Sequence, residues 1–309
     1  MFARSKKKPQ VPAKSAWPCA TRLMDKTVAD QFLHAVNEFN ERAGRLGFTD
    51  IENYYWYHTV ELPGGLVTPG LYDIRASLAE FRFPSDMRGM NVLDVGTATG
   101  FFAFEFARRG ARVVSVELPS LYALDRFPGQ SIEQTLDKIG NMIVPRSLDA
   151  MREYVRKYTA EELYFYLLEG PFDFCRKLLN APIERCLSTV YDLSETKLGA
   201  TFDLVFMGDI LLHTLNPLLA LAAVAPLCRN TLVLSQVIPG NAGDEPVMQY
   251  VGGATPGSDE VSWWLPNMAC MIQILKKLGF RSVTEIGRNR GVLRPSGFTY
   301  DRPILRAVK

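Results

Sequence analysis

The stretch Val92-Leu93-Asp94-Val95-Gly96-Thr97-Ala98-Thr99-Gly100 decides the fold of this chain. A short apolar run leads into a loop with two glycines, and residues 101–110 then show helical spacing and end at Gly110. The pattern predicts a strand, a tight loop and a helix. Glycine allows positive φ and a close approach of a ligand, and a helix N-terminus offers free N–H groups. We therefore expect the loop to hold a polar or anionic part of a cofactor.

The spacing of this loop argues against one class of cofactor. The dinucleotide fingerprint G-x-G-x-x-G requires glycine at positions 98 and 101, where this chain has Ala98 and Phe101. A nicotinamide-dependent dehydrogenase is therefore disfavoured.

Composition indicates a soluble, cytoplasmic chain. The 309 residues are 47% hydrophobic and contain no apolar run long enough to span a bilayer, so we expect one large domain with additions. A net charge of +2 gives no electrostatic reason to expect nucleic acid or membrane as partners. The basic run at residues 4–8 predicts a disordered tail over residues 1–24, with a weak RNA-contacting arm as the alternative.

Cysteine and histidine usage gives no sign of a metal site. The five cysteines include no C-x-x-C pair, and the three histidines form no H-E-x-x-H motif. We therefore expect reduced thiols and no bound metal.

An N-terminal extension is predicted over residues 25–85. Apolar residues recur at helical spacing from about Asp25 to Leu46, so this part predicts an amphipathic helix. Residues 54–70 are aromatic first and turn-rich afterwards, and include Tyr57. They predict either a pocket wall or lid, or a packed aromatic cluster that anchors the helix.

Residues 86–309 predict the main domain, an α/β Rossmann-like sheet of seven strands. The second strand ends at Glu117, about twenty residues beyond the loop, where a carboxylate reaches ribose hydroxyls in such sheets. Residues 121–181 interrupt the alternation and predict a helical insertion, either a substrate cap or a dimerisation element. The other predicted elements are strands at 186–190, 203–208, 231–236, 281–287 and 302–308, and a helix at 268–278.

Residues 54–309 resemble the class I S-adenosylmethionine (SAM) methyltransferases, and within them the group related to bacterial tRNA uridine carboxymethyltransferases. The general resemblance lies in VLDVGTATGFFAFEFARRGARVVSVE, YDL and FDLVFMGDILLHTLNPL; the narrower one adds WYHTVELPGGLVTPGLYDIR and WWLPNMACMIQILKKLGF. In the family motif D-x-G-x-G-x-G, Ala98 stands for the middle glycine. The resemblance implies SAM as cofactor, held by Asp94, Gly96, Thr97 and Gly100 at the methionine part, Glu117 at the ribose, Asp192 at the adenine, and Met207, Gly208 and Asp209 at the sulfonium.

One departure from the narrower group bears on the cofactor. Carboxymethyltransferases bind a carboxylated SAM through lysine, tryptophan and tyrosine side chains, and the matching places here carry Ile74, Arg75 and Leu212. Ordinary SAM is therefore the expected cofactor. Arg75, as a candidate substrate-binding residue, keeps the carboxylated form as the alternative.

Methyl transfer needs a base only where the acceptor must lose a proton. The candidates are His213, just past the fourth strand, and His58, in the aromatic segment; packing roles are the alternatives for both. Tyr57, Trp263 and Trp264 are candidate acceptor-binding residues, and the two tryptophans are equally consistent with core positions.

The sequence therefore predicts a SAM-dependent methyltransferase acting on a small molecule. The alternatives are an RNA-modifying transferase of the tRNA carboxymethyl type and a SAM-binding regulatory subunit. A homodimer is compatible with the sequence.

Overall fold

The computed structural model describes residues 25–49, 51–142, 157–239, 243–255 and 261–309. The predicted tail over residues 1–24 and the middle of the predicted insertion, residues 143–156, lie outside these ranges. Across the described ranges, no helix is long and apolar enough to cross a membrane.

Eight α-helices are present in the described part of the chain. Between the fourth and fifth of them, Phe165–Glu169 forms a π-helical turn. The helices cover Lys26–Arg45 (α1), Phe101–Arg108 (α2), Ile132–Met142, Ala160–Tyr164, Gly170–Leu178, Glu195–Leu198, Pro217–Val224 and Met268–Lys277.

The strands fall into one large sheet and two small ribbons. β1 pairs with β2, β8 pairs with β9, and the other seven form the large sheet. The strands are Glu61–Leu62 (β1), Leu66–Val67 (β2), Asn91–Val95 (β3), Arg112–Glu117 (β4), Ile183–Leu187 (β5), Phe202–Gly208 (β6), Cys228–Ser235 (β7), Met248–Tyr250 (β8), Trp264–Pro266 (β9), Ser282–Leu293 (β10) and Phe298–Val308 (β11).

The large sheet has the order β10-β11-β7-β6-β3-β4-β5. The five strands from β7 to β5 are parallel, whereas β11 is antiparallel to β7 and β10 is antiparallel to β11. This is the α/β, Rossmann-like, seven-stranded arrangement that the sequence predicts. The chain runs from β3 outward to β5 and then returns to β6 on the other side of β3. Ligands of open parallel sheets bind at such a switch point, outside the carboxyl ends of the strands.

Three of the predicted strands, the third parallel strand and the last two, have wrong bounds. The third parallel strand was expected at residues 186–190 but spans Ile183–Leu187, because its partner β4 ends at Glu117, which lies opposite Leu187. The last two strands are a long hairpin rather than the short segments 281–287 and 302–308. The hairpin has a register shift between Glu285 and Gly287 and polar residues beyond it, and both hide the two-residue alternation of a strand.

The predicted N-terminal helix is present as α1. Asp25 caps it by accepting from the backbone N–H of Thr27, and Phe32, Phe39 and Ala43 are buried. Residues 54–60 then continue toward the sheet, where Trp56 packs edge-on against Phe39. The aromatic segment therefore anchors α1, as one of its two interpretations predicts.

Candidate active site

A cavity of about 420 Å³ opens at the switch point of the sheet. The loops after β3, β4, β5 and β6 all contribute to its wall, together with the N-terminal extension and β11. Both interpretations of the aromatic segment therefore hold, since Tyr55, Tyr57 and His58 line this cavity while Trp56 anchors α1.

The glycine loop after β3 is shaped by three residues in the left-handed region. Gly96 has φ +72°, Ala98 has φ +48° and Gly100 has φ +96°. A Cβ on Gly96 would lie 1.9 Å from the Ile210 side chain, so glycine is required there. Gly96, Thr97 and Ala98 line the cavity, whereas Gly100 begins α2 behind the lining.

Glu117 is held by the loop that it faces. The backbone N–H of Ala98 donates to Oε2 at 2.8 Å, and the backbone N–H of Leu118 donates to Oε1 at 2.9 Å. Burial raises the pKa of Glu117, while the nearby Arg185 and these two N–H groups act in the opposite direction. Each oxygen keeps further acceptor capacity toward the cavity, so the carboxylate is a preformed receptor for two hydroxyl groups.

Asp94 lies behind the loop and is only 2% exposed. Its carboxylate accepts a hydrogen bond from the Thr97 hydroxyl. Burial raises the pKa of Asp94 to about 7, against the effects of that hydrogen bond and of Arg185. Arg185 itself pairs with Glu169 at 2.5 Å and lies over the Phe172 ring at 4.0 Å.

His213 follows β6 in a short 3-10 turn and lines the cavity. Its Nδ1 lies 2.6 Å from the carbonyl oxygen of Val261. Because a carbonyl only accepts, Nδ1 carries the proton of the neutral ring, and Nε2 is left as the basic nitrogen. Burial lowers the pKa of His213, so the ring is neutral and able to accept a proton at neutral pH.

His58 lines the same cavity in a different environment. Its ring lies 4.8 Å from Tyr57 and 6.1 Å from Phe101, and Nδ1 has no hydrogen-bond partner among the described residues. Burial lowers its pKa to about 3. His213 differs from His58 in that its Nδ1 has a hydrogen bond, which fixes the tautomer of the ring.

The wall opposite the glycine loop carries a buried ion pair. Asp209, at the end of β6, has φ +49° and pairs with Arg302 of β11 at 2.6 Å. The two side chains are 16% and 11% exposed. The guanidinium also lies over the rings of Tyr72 and Tyr300, at 5.2 and 4.8 Å. Sequence reasoning identified Asp209 but missed Arg302, which has no motif around it.

Asp125 is a second lining residue that sequence reasoning missed. It accepts from the backbone N–H of Leu215 at 2.6 Å and from the Tyr191 hydroxyl. It therefore ties the segment after β4 to the loops after β5 and β6. The one available signal was its place at the start of the predicted insertion.

Two further predicted cofactor residues, Met207 and Asp192, do not line the cavity. Met207 points away from the cavity into the apolar core, because neighbouring side chains of a strand face opposite sides of the sheet. Asp192 is exposed, accepts from the Thr189 hydroxyl at 2.6 Å, and does not line the cavity. Val190, Tyr191, Gly208 and Asp209 line it.

The two tryptophans do not line the cavity either. Trp263 is fully buried, with its ring 6.4 Å from that of Phe127. The Trp264 indole donates to the carbonyl oxygen of Leu215 at 3.1 Å. These contacts support their alternative, a packing role, and binding of the acceptor by either tryptophan stays a prediction.

Arg75 is turned away from the cavity, although its neighbour Ile74 lines it. The guanidinium makes two hydrogen bonds to Asp73, at 2.8 and 2.7 Å, and one to Glu61 at 2.6 Å. These surface acids already occupy the donors, so the structure gives no support to the predicted contact of Arg75 with the cofactor or acceptor.

Arg75→Ala is expected to leave the affinity for S-adenosylhomocysteine unchanged and to cost at most about 1 kcal/mol of stability, the usual upper value for an exposed ion pair. Calorimetric titration and thermal melting measure the two effects. A tenfold loss of affinity would return Arg75 to the site.

Parts of the predicted insertion supply the remaining apolar wall. The apolar lining residues from this segment are Leu121, Ala123, Leu124, Ile139, Leu167 and Leu168. The extent of a cap over residues 121–181 stays a prediction, since residues 143–156 lie outside the described ranges. Nor do the described residues contain a group of three or more histidines, cysteines or acids placed to hold a metal ion.

Comparison with known proteins gives one short sequence match and several similar folds. No family model matches the chain. Magnesium-protoporphyrin O-methyltransferase from Rhodobacter capsulatus is 40% identical over 67 residues, which is 21% of this chain and 30% of that relative's length.

Two of the solved structures that match the chain are those of methyltransferases. One is magnesium protoporphyrin IX methyltransferase from Synechocystis PCC 6803 with bound SAM, with a TM-score of 0.41, 16% identity, and coverage of 76% of this chain and 77% of that one. Another is 1,6-didemethyltoxoflavin-N1-methyltransferase from Burkholderia thailandensis, with a TM-score of 0.41, 14% identity, and coverage of 91% and 90%. On its own strand order, with β11 antiparallel beside β7, the chain has the class I methyltransferase fold.

Proposed function

We propose that this protein is a SAM-dependent methyltransferase that acts on a small-molecule acceptor. The observation that carries the proposal is that one cavity at the switch point holds both the anchored carboxylate of Glu117 and the neutral, basic ring of His213. The first is a receptor for a nucleoside ribose, and the second is a candidate proton acceptor. The short match to a magnesium-protoporphyrin O-methyltransferase agrees with this proposal.

The residues around the cavity fit SAM. Glu117 would accept from the two ribose hydroxyls, Val190 and Tyr191 would lie beside the adenine, and the backbone of Gly96 and Ala98 would lie along the methionine part. The carboxylates of the lining suit a positively charged cofactor. Ordinary SAM fits better than a carboxylated form, because Ile74 and Leu212 offer no donor to an extra carboxylate and Arg75 points away.

The reaction follows from these roles. When bound, SAM supplies a methyl group whose bonding electrons return to the positive sulfur as the acceptor atom attacks. His213 Nε2 takes the proton that the acceptor loses, and the Val261 carbonyl stabilises the charged ring through Nδ1–H. The apolar residues from the insertion act as a cap that excludes water and holds the acceptor in place.

Binding and transfer are tested separately with the full-length chain. S-adenosylhomocysteine is titrated calorimetrically, with NAD as the control nucleotide, and tritiated SAM is incubated with a metabolite extract or with bulk tRNA. We expect binding of S-adenosylhomocysteine and not of NAD, and label in the small-molecule fraction. Label in tRNA would instead support the RNA-modifying alternative. Binding without any transfer would support a regulatory subunit.

A further inference from the structure

The cavity carries an excess of negative charge. Among the described residues that line it, the acids are Asp94, Glu117, Asp125 and Asp209, and the one arginine is Arg302. Because burial raises the pKa of Asp94 to about 7, the excess comes mainly from the other three carboxylates. The two lining histidines do not offset the carboxylates, because burial lowers the pKa of each. A cofactor with one positive sulfur would neutralise only part of this excess.

Arg302 is the one arginine or lysine among the described lining residues, and its guanidinium already has partners. Its Nη1 lies 2.6 Å from Asp209, and its Nη2 lies 3.3 Å from the Tyr72 hydroxyl. An anionic ligand that took over the contact of Nη1 would have to displace Asp209, which would leave a buried carboxylate without its partner. The Nε atom is buried and has no hydrogen-bond partner among the described residues.

The rest of the acceptor side carries no further charged side chain among the described residues and is largely apolar. Leu71, Ile74, Leu212 and Leu293 line the cavity on the side of β11 and the aromatic segment, and leucines of the predicted insertion complete the wall. A ligand body without charge buries well against these side chains.

We propose, on the basis of the methyltransferase function above, that the acceptor is an uncharged, largely apolar small molecule with an acidic hydroxyl, and that the Asp209–Arg302 pair rejects acceptors bearing a carboxylate or phosphate. The hydroxyl loses its proton to His213 and gains the methyl group, so no further reactant is needed. Rejection of the anion arises from unpaired buried charge rather than from size.

Two probes that differ by one carboxylate test this proposal. Naphthol and hydroxynaphthoic acid are titrated at neutral pH into protein saturated with S-adenosylhomocysteine. Naphthol is expected to bind at least about tenfold more tightly, because the acid would bring a further negative charge into the cavity. Equal affinity, tighter binding of the acid, or binding of neither probe overturns the proposal.

The variant Asp209→Asn tests whether the Asp209–Arg302 pair causes the preference for naphthol over the acid. The substitution keeps the shape of the side chain, removes one negative charge and frees Arg302, so the acid is expected to gain at least about tenfold relative to naphthol. Asp301→Asn is the matched control, because Asp301 also pairs with an arginine of the hairpin, Arg288 at 2.5 Å, but on the surface. The same gain in both variants, or in neither, would remove the ion pair from the explanation.

The titration with S-adenosylhomocysteine separates this proposal from the function on which it rests. If the protein does not bind S-adenosylhomocysteine, the methyltransferase proposal fails and the acceptor class fails with it. If it binds S-adenosylhomocysteine but prefers hydroxynaphthoic acid, only the acceptor class is wrong.

Discussion

Glu117→Gln is expected to weaken S-adenosylhomocysteine binding by about a hundredfold while the fold is kept. The carboxylate would accept two charge-assisted hydrogen bonds from ribose, and losing about 3 kcal/mol of this interaction corresponds to that factor. The amide adds a second effect. Both oxygens of Glu117 already accept from backbone N–H groups, of Ala98 and Leu118, so a glutamine must turn an NH₂ toward one of these donors.

Calorimetric titration measures the affinity, and thermal melting checks the fold. Glu184→Gln is the matched control, since Glu184 lies on the neighbouring strand β5 with an exposed side chain. We expect the control to bind as the wild type does. An unchanged affinity in Glu117→Gln would remove Glu117 from the cofactor site.

The position of Glu117 is predictable from sequence because it depends on local structure alone. Both β3 and β4 are short apolar runs with clear ends, and parallel neighbours bring their carboxyl ends to the same edge of the sheet. The loop residues Gly96 and Thr97 and the acid at the end of β4 therefore meet whatever the rest of the chain does.

Side chains alternate between the two faces of a strand, and this alternation explains why Met207 does not line the cavity. The run Phe202–Gly208 is apolar on both faces, since the sheet is covered on both sides, and it shows no alternation. Phe206 lines the cavity and Met207 faces the opposite core, yet the sequence does not distinguish them. Which face of the sheet each side chain of β6 takes becomes known only once the neighbouring strands are in place.

The Asp209–Arg302 pair is beyond sequence reasoning for a different reason. It forms because β11 lies antiparallel to β7, with Ile304 opposite Ser235, and β7 lies beside β6. No local sequence pattern predicts the register between β11 and β7. Arg75, in contrast, lies at a plausible motif position, but its guanidinium pairs with two nearer acids on the surface, Glu61 and Asp73. Arginine side chains are long enough for such tertiary contacts to decide where they point.

His213→Asn is expected to lower the single-turnover rate of methyl transfer to naphthol by about 10²–10⁴-fold, the usual contribution of a positioned base. The amide of asparagine replaces Nδ1–H and keeps a donor for the Val261 carbonyl, but it has no counterpart of the basic Nε2. The affinity for S-adenosylhomocysteine should therefore stay unchanged. His34→Asn, on the exposed face of α1, is the matched control and should keep the full rate.

The pH dependence separates His213 from His58. A general base works in its neutral form, which is the major form above its pKa. Burial lowers the pKa of His213 below its ordinary value, so the wild-type rate should rise with pH through that lowered pKa and then level off. A base at His58, whose pKa is about 3, would place this rise far lower. The rise should disappear in His213→Asn. If that variant keeps the rate and the pH profile while His58→Asn loses activity, the proton acceptor is His58.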